Sequence, residues 1–320
     1  MTSAREDRLR ILVWPVHASW TGAFVCGRHE YLIPASHESE PVLPPAARRV
    51  TPEELGDGVD GVDVVVLQGP EELDLFTRWT GLRAGRDVPA VYVEHEPPTG
   101  DVPRTRHLLA AQTEIPLVHV THFNRLMWDS GRAPSLVIEH GVPDPGLRYT
   151  GEERRAGVVY DGPGWGRAAG TDLLTTFAEA VPVDVYGTGA KRLATRGGRI
   201  CPIGDLGREE RVKNLARRRM YLHTARWTSL GSPLIEAMML GMPVVAVAGT
   251  EVPRAIPPEA GFVSADLDEL TGAIRVLLTE PDLAHRMGKF AREFALANYG
   301  LEAFLYRWDA VLRRVRGGDG

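Results

Sequence analysis

The feature that most restricts this chain is a repeated pairing of a short, continuous apolar run with a longer stretch of helical spacing. ILVWPV (11–16), VDVVVLQG (62–69), VPAVYVEH (88–95), LVHVTH (117–122) and SLVIEHG (135–141) form a first series of runs. AGVVYDGP (156–163), VDVYGTG (183–189), GRICPIG (198–204), MYLHTA (220–225), PVVAVAG (243–249) and AGFVS (260–264) form a second. Runs that are apolar at successive positions suit parallel strands covered on both faces. Between them TDLLTTFAEAV, REERVKNLARRR and SPLIEAMMLG have helical apolar spacing. The alternation predicts an α/β fold with parallel sheets. Two such series in 320 residues predict two doubly wound domains. The aperiodic, Gly-, Pro- and charge-rich stretch 141–155 predicts the break between them. A second junction is expected near Ala297–Gly300, followed by the amphipathic helix LEAFLYRWDAVLRRV. Residues 34–52, rich in proline and polar side chains, read as a long loop near a sheet edge.

Several functional classes are disfavoured. A net charge of −5 gives no global basic field to hold nucleic acid. No apolar run approaches the ~18 residues of a membrane span. The start, MTSAREDRLRILVW, reads as a buried first strand and not a secretion signal. Cys26 and Cys201 alone make no disulfide framework, so a reducing cytosol is the expected compartment.

In open α/β sheets ligands sit beyond the carboxyl ends of the strands, near helix N-termini. Three strand ends stand out. HASWTGAF (17–24) reads as a βα turn in which Thr21-Gly22 lets backbone approach a ligand. No G-x-G-x-x-G follows the first strand, which argues against a nicotinamide enzyme. VEHEPPTGD (93–101) puts His95 between Glu94 and Glu96 at a strand tip. Such a histidine can donate or accept a hydrogen bond near neutral pH. Metal ligation and an ordinary solvated loop are the other readings, and no H-x-E-x-H spacing supports metal. TARWTSLGSPLIEAMMLGMPVVA (224–246) runs loop, helix, glycine turn, strand. Ser232 is expected as N-cap with Pro233 at the first helical position, leaving first-turn N–H groups for a diphosphate. Glu236, one turn in, either accepts hydrogen bonds from sugar hydroxyls or pairs locally.

SLGSPLIEAMMLGMPVVA resembles the donor-binding segment of retaining GT-B glycosyltransferases, glycosyltransferase family 4, whose pattern is E-G-x-G-L-P-x-x-E-A-x-x-x-G-x-P-V-V. Gly231, Pro233, Glu236, Ala237, Gly241, Pro243, Val244 and Val245 match in register. VIEHGVPD (137–144), VDVYGTG, PIGDL and LTEPDLAHRMGKFAREFALANYG resemble later landmarks in the family's order, and VPAVYVEH resembles the strand ending in its active-site histidine. The chain departs from the pattern twice: the first of the family's two glutamates falls on Thr228, and its diphosphate lysine falls on Ala169.

The resemblance implies a GT-B protein: two Rossmann-like doubly wound domains facing a central cleft. Residues 1–145 would form an acceptor-side domain and 146–298 a nucleotide-sugar domain, with 299–320 packing back on the first. It implies a metal-independent, retaining hexosyltransferase that uses a UDP- or GDP-sugar and a sugar, lipid or small-molecule acceptor. His95 would be catalytic. Donor contacts would come from Gly22, Arg167, Lys191, Thr228, Gly231, Ser232, Pro233, Leu234 and Glu236. A cytoplasmic location is expected, with room for peripheral membrane contact but no span. The two departures keep a non-catalytic nucleotide-sugar-binding GT-B protein as an alternative; a GT-B sugar-nucleotide epimerase, which also binds a nucleotide diphosphate, is another.

Overall fold

A computed structural model describes residues 8–35, 44–58, 61–160, 166–193 and 198–317. In chain order the elements begin with β1 (Arg10–Val13), α1 (Ala18–Phe24), β2 (Glu30–Pro34), β3 (Ala47–Val50), α2 (Pro52–Gly58), β4 (Val64–Leu67), α3 (Glu71–Thr80) and β5 (Ala90–Glu94). Then come β6 (Leu117–His119), α4 (His122–Met127), β7 (Ser135–Val137), β8 (Glu153–Val159), α5 (Leu174–Ala180), β9 (Val183–Tyr186), β10 (Ile200–Gly204) and α6 (Arg208–Leu215). The chain continues with β11 (Arg218–His223), α7 (Ser232–Leu240), β12 (Val244–Val247), α8 (Val252–Ala255), β13 (Gly261–Ser264), α9 (Leu267–Thr279), α10 (Pro281–Tyr299) and α11 (Leu301–Gly317). They divide into unit 1, residues 1–141 with 301–320, and unit 2, residues 142–300.

Unit 1 holds a seven-stranded sheet in the order β3-β2-β1-β4-β5-β6-β7. Its pairs are all parallel, with Ile11 opposite Tyr31 on one side and Val64 on the other. Ile11, Val13, Val64 and Val66 join one apolar cluster with Trp20 and Phe24, while Leu12, Val65 and Leu67 join another with Phe76. Both faces of the strands are therefore buried, which is why the runs carry no polar alternation. Helix α11 closes the first face. Phe304, Trp308 and Leu312, four residues apart, form its buried stripe. Trp308 meets Trp20 edge-on at 5.4 Å, and Asp309 accepts two hydrogen bonds from Arg28, at 3.1 and 2.7 Å.

Unit 2 holds a six-stranded sheet in the order β10-β9-β8-β11-β12-β13, again parallel throughout. In both sheets the first strand lies inside, its second neighbour on one side and its fourth on the other. Strand order thus reverses between β1 and β4 and between β8 and β11, the places where such folds bind ligands.

Four expectations need correction. Residues 34–52 are not one loop: Ala47–Val50 is an edge strand paired with β2, and Pro52 begins a helix. An edge strand needs only one covered face, so ARRV keeps its arginines. Strand β2 was missing from the expected series. The HASWTGAF turn is mostly the helix α1. Finally, Arg218 and Arg219 are not a helix end but the start of β11. They are buried because Arg218 reaches Asp184 and Arg219 reaches the Gly151 carbonyl. Residues 36–43 of the expected loop, and 162–165 of the glycine-rich stretch after β8, lie outside the described residues.

Candidate functional site

In unit 2 the matched segment begins with helix α7. Leu234, Ile235, Ala237, Met238, Met239 and Leu240 are all buried. A helix apolar on every side has to be covered, and α10 packs along it. Gly241 ends the helix at φ +90°, a left-handed conformation that favours glycine. The start differs from expectation. Gly231 is the N-cap, in extended conformation, so Ser232 and Pro233 are the first and second helical residues. No side chain caps this end, so no side-chain acceptor competes for its N–H groups.

Glu236 projects from this apolar helix, and its carboxylate is 6% exposed. A buried carboxylate needs partners. It accepts from Arg208 Nε at 2.8 Å and from Arg211 Nη2 at 3.2 Å. The two arginines, three apart on α6, share one helix face. Arg208 also donates to the Pro143 carbonyl at 3.1 Å. Thr228, in the preceding loop, donates its hydroxyl to the Ser229 carbonyl. Its own carbonyl accepts from Thr250 Oγ1 at 2.9 Å. Thr250 is the one non-glycine residue with positive φ, +45°, among the described residues. That is a strained setting for a β-branched side chain.

The loops after β8 and β11 are laced together at the reversal point. Ala168 O accepts from the backbone of Arg226 and Trp227, at 2.8 and 3.1 Å. Thr224 donates its hydroxyl to Ala169 O at 2.9 Å, so Tyr160 Oη must donate to Thr224 across 2.6 Å. Gly170 sits at φ +74°, where a Cβ would lie 1.9 Å from Thr224 O. Only glycine permits this approach. Arg226 holds Asp172 through two bonds, at 2.7 and 3.0 Å, and keeps that carboxyl below its ordinary pKa. Arg167 is exposed, 3.8 Å from Asp172. Lys191 is exposed on the turn after β9 and has no ion-pair partner among the described residues. Thr228, Gly231, Ser232, Pro233, Leu234 and Glu236 thus lie on one loop and helix, with Arg167 and Lys191 on other strand ends of the same sheet.

Unit 1 puts different chemistry at its reversal point. His95, just past β5, is 4% exposed, so it is not part of a solvated loop. Its Nε2 is 2.9 Å from Gln68 Oε1, at the tip of β4. Gln68 Nε2 in turn donates to the Trp14 carbonyl beyond β1. His17 stacks on His95 with ring centroids 3.8 Å apart, and Trp20 meets it edge-on at 5.4 Å. The Asn124 amide donates to the His95 carbonyl. Burial first, then the neighbouring His17 and His140, hold His95 well below the usual histidine pKa. Burial also lowers His17, opposed by Glu94. Glu94 accepts from the Glu96 backbone and pairs with His107 at 3.2 Å. Gly22 lies within α1, exposed, with nothing within 4 Å of where a Cβ would stand. Among the described residues no three His, Cys, Asp or Glu side chains gather as a metal site.

Four residues of these sites escaped the sequence reading. Arg208 and Arg211 carried a signal, their i,i+3 spacing. Gln68 and His17 carried none, because their roles depend on strand tips brought together by the sheet.

Residues 197–294 match the family model for glycosyl transferases group 1. No curated protein matches the chain in sequence. Among solved structures, sucrose-phosphate synthase from Thermosynechococcus elongatus superposes with TM-score 0.74 at 14% identity, over 98% of this chain and 100% of that one. Anabaena HepE, solved with UDP and glucose, gives 0.72 at 14% identity, over 96% and 100%. S. aureus TarM, solved with fondaparinux, alpha-GlcNAc-glycerol and UDP, gives 0.63 at 18% identity, over 78% of this chain and 55% of that one. The protein therefore has the GT-B fold, two Rossmann-like α/β units, with a glycosyl transferases group 1 segment across most of the second.

Proposed function

We propose that this protein is a metal-independent, retaining glycosyltransferase of family 4 that moves a hexose from a UDP- or GDP-sugar to an acceptor hydroxyl. One observation carries the reading: the segment matching group 1 glycosyl transferases contains the uncapped start of α7 and the buried, arginine-held Glu236. Uncapped N–H groups and the positive end of the helix dipole suit a diphosphate. In this reading Gly231, Ser232, Pro233 and Leu234 line the diphosphate, and Lys191 and Arg167 add positive charge. Charge gathering on the leaving diphosphate would be stabilised by these fixed groups. Glu236 binds the ribose. A carboxylate has about four acceptor positions, so two arginine donors leave room for a ribose hydroxyl. Thr228 is proposed to contact the transferred sugar, and His95 to be the catalytic residue. Unit 2 is the nucleotide-sugar domain and unit 1 the acceptor domain, with Gly22 the weakest of the proposed donor contacts because it lies within α1.

The solved HepE and TarM structures hold UDP, which supports a uridine nucleotide as the first donor to try. TarM was solved with alpha-GlcNAc-glycerol, which favours a carbohydrate-like acceptor. No helix among the described residues is long and apolar enough to cross a membrane. Independently of that, we propose a cytoplasmic reaction with room for peripheral membrane contact. The test is turnover with UDP-, GDP-, ADP- and TDP-sugars, reading the anomeric configuration of the product by proton NMR. Retained configuration, unaffected by EDTA, is expected. Inverted product, or turnover lost on chelation and restored by Mn²⁺, contradicts the mechanism. Thr228 supports a second reading, a nucleotide-sugar binder without turnover, since its hydroxyl is turned to a backbone carbonyl and offers no carboxylate. Nucleotide binding with no turnover on any acceptor would select it.

A further inference from the structure

Gln68 is 6% exposed and ties together the tips of three strands. Its Nε2 faces the Trp14 carbonyl at 2.5 Å and Thr21 Oγ1 at 3.5 Å. A carbonyl only accepts, so the amide NH₂ must be the group that faces it. The amide oxygen is then the atom 2.9 Å from His95 Nε2. That oxygen also only accepts, so His95 Nε2 must carry a hydrogen. A neutral imidazole has one N–H, which leaves Nδ1 bare. Reversing the amide would set its NH₂ against His95 and its oxygen against the Trp14 oxygen. The His17 ring stacked at 3.8 Å and the Trp20 edge hinder rotation of the His95 ring. Gln68 itself is held by its backbone N–H, which donates to Glu72 Oε2 at 2.6 Å. Among the described residues nothing hydrogen-bonds His95 Nδ1.

We propose that Gln68 is a positioning residue that locks His95 as the Nε2–H tautomer, so that the ring atom left for a ligand is Nδ1, an acceptor matched to a hydroxyl-bearing ligand such as a sugar. What Nδ1 meets rests on the transferase reading; the tautomer does not. The second nitrogen of an imidazole is set by the bond the first one makes, and Gln68 makes that bond here. The titratable groups facing His95 are His17 and His140, and both disfavour its protonation. His95 therefore stays neutral and accepting through the range in which a free histidine titrates.

The test is nitrogen-15 NMR of the full chain labelled at histidine, without substrate, with the His95 signals identified by their loss in His95→Gln. Wild type is expected to show pure Nε2–H. Gln68→Met, which keeps size and removes the acceptor, is expected to give mixed tautomers. Gln68→Glu keeps an acceptor, so Nε2–H should persist while His95 titrates at higher pH. This variant decides the matter if Gln68→Met fails to fold. Nδ1–H or mixed tautomers in wild type, an unchanged pure tautomer in Gln68→Met, or Nδ1–H in Gln68→Glu would each overturn the assignment. In turnover, Gln68→Met should lower kcat about 10- to 100-fold, by analogy with the loss seen when the hydrogen-bond partner of a metal-ligating histidine is removed, with donor KM little changed. A wild type without turnover on any nucleotide sugar counts against the transferase reading alone, because the tautomer is read without substrate.

Discussion

The two units share one strand order and furnish its reversal point in opposite ways. In unit 1 uncharged groups surround His95: an amide, the stacked His17 imidazole and an indole edge. In unit 2 the point is charged: Arg226 on Asp172, exposed Arg167, and Glu236 between two arginines, with exposed Lys191 at the neighbouring strand end after β9. The contrast extends into the interiors. Unit 2 buries Asp184 under Arg155 and Arg218. In unit 1, burial pushes the Glu72 carboxyl up to about 7, toward its neutral form. Topology thus decides where a ligand can sit, and side chains decide which charge it brings. A cationic rim beside a helix N-terminus that no side chain caps favours an anion. A strand tip lined by uncharged rings and an amide orients an uncharged group by hydrogen bonds.

The contrast breaks most visibly at His95. His95→Ala is expected to lower kcat about 10²- to 10⁴-fold, the usual worth of a proton-handling or positioning group, while donor KM changes little. A large loss of donor affinity would put His95 among the anion-binding groups instead. Glu236→Ala should do the reverse. Loss of a charged acceptor, about 1.5–3 kcal/mol, weakens nucleotide binding roughly 10- to 150-fold, read by calorimetry. It should also cost stability in urea, about 2 kcal/mol. That is below the ~3–5 kcal/mol of a fully buried pair, because Arg208 is half exposed and screened.

Acid should sharpen the comparison. Burial lowers His95 and His29, and lowers His119 to about 4. Below pH 6.5 the unfolded chain binds protons that these folded histidines do not. Stability is then full above pH 6.5 and falls as pH drops toward 4, by about 2 kcal/mol at pH 5 from His119 alone. Glu72 runs the other way: its raised pKa favours folding below pH 4.5, a contribution lost as pH rises through 7. With His17, also lowered, and His140, lowered to about 4, five histidines of unit 1 outweigh one carboxyl, while unit 2 carries one comparable histidine, His223, lowered to about 4. Hydrogen exchange at pH 7.5 and 5 should show unit 1 opening first; equal loss in both units would contradict this. The smallest effect is expected at Lys191→Ala, a few-fold loss of nucleotide affinity that fades with added salt, because an exposed charge is screened. A loss independent of salt would mean a direct, desolvated contact.

The sequence shows the frame best where both strand faces are buried. Val64–Leu67 and Ala90–Glu94 advertise themselves because nothing polar interrupts them. β3 does not, since ARRV at a sheet edge needs only one apolar face. At the sites, local signals survive and remote ones do not. Glycine and proline spacing revealed α7 and its left-handed stop at Gly241. It misplaced the N-cap by one residue, because Gly231, not Ser232, takes the extended conformation. The arginines that hold Glu236 come from residues 25 and 28 positions earlier. The Gln68–His95 bond spans 27. Neither distance leaves a mark in a single sequence.

The central claim, that the charged strand ends of unit 2 take the nucleotide and those of unit 1 around His95 do not, is tested most directly by hydrogen exchange with saturating UDP and then GDP. The account predicts protection in peptides covering 187–193 and 224–240 with one of the two nucleotides. Peptides covering 62–69 and 88–107 should be unchanged. Protection confined to the unit 1 peptides, or none anywhere with either nucleotide at saturation, would contradict it.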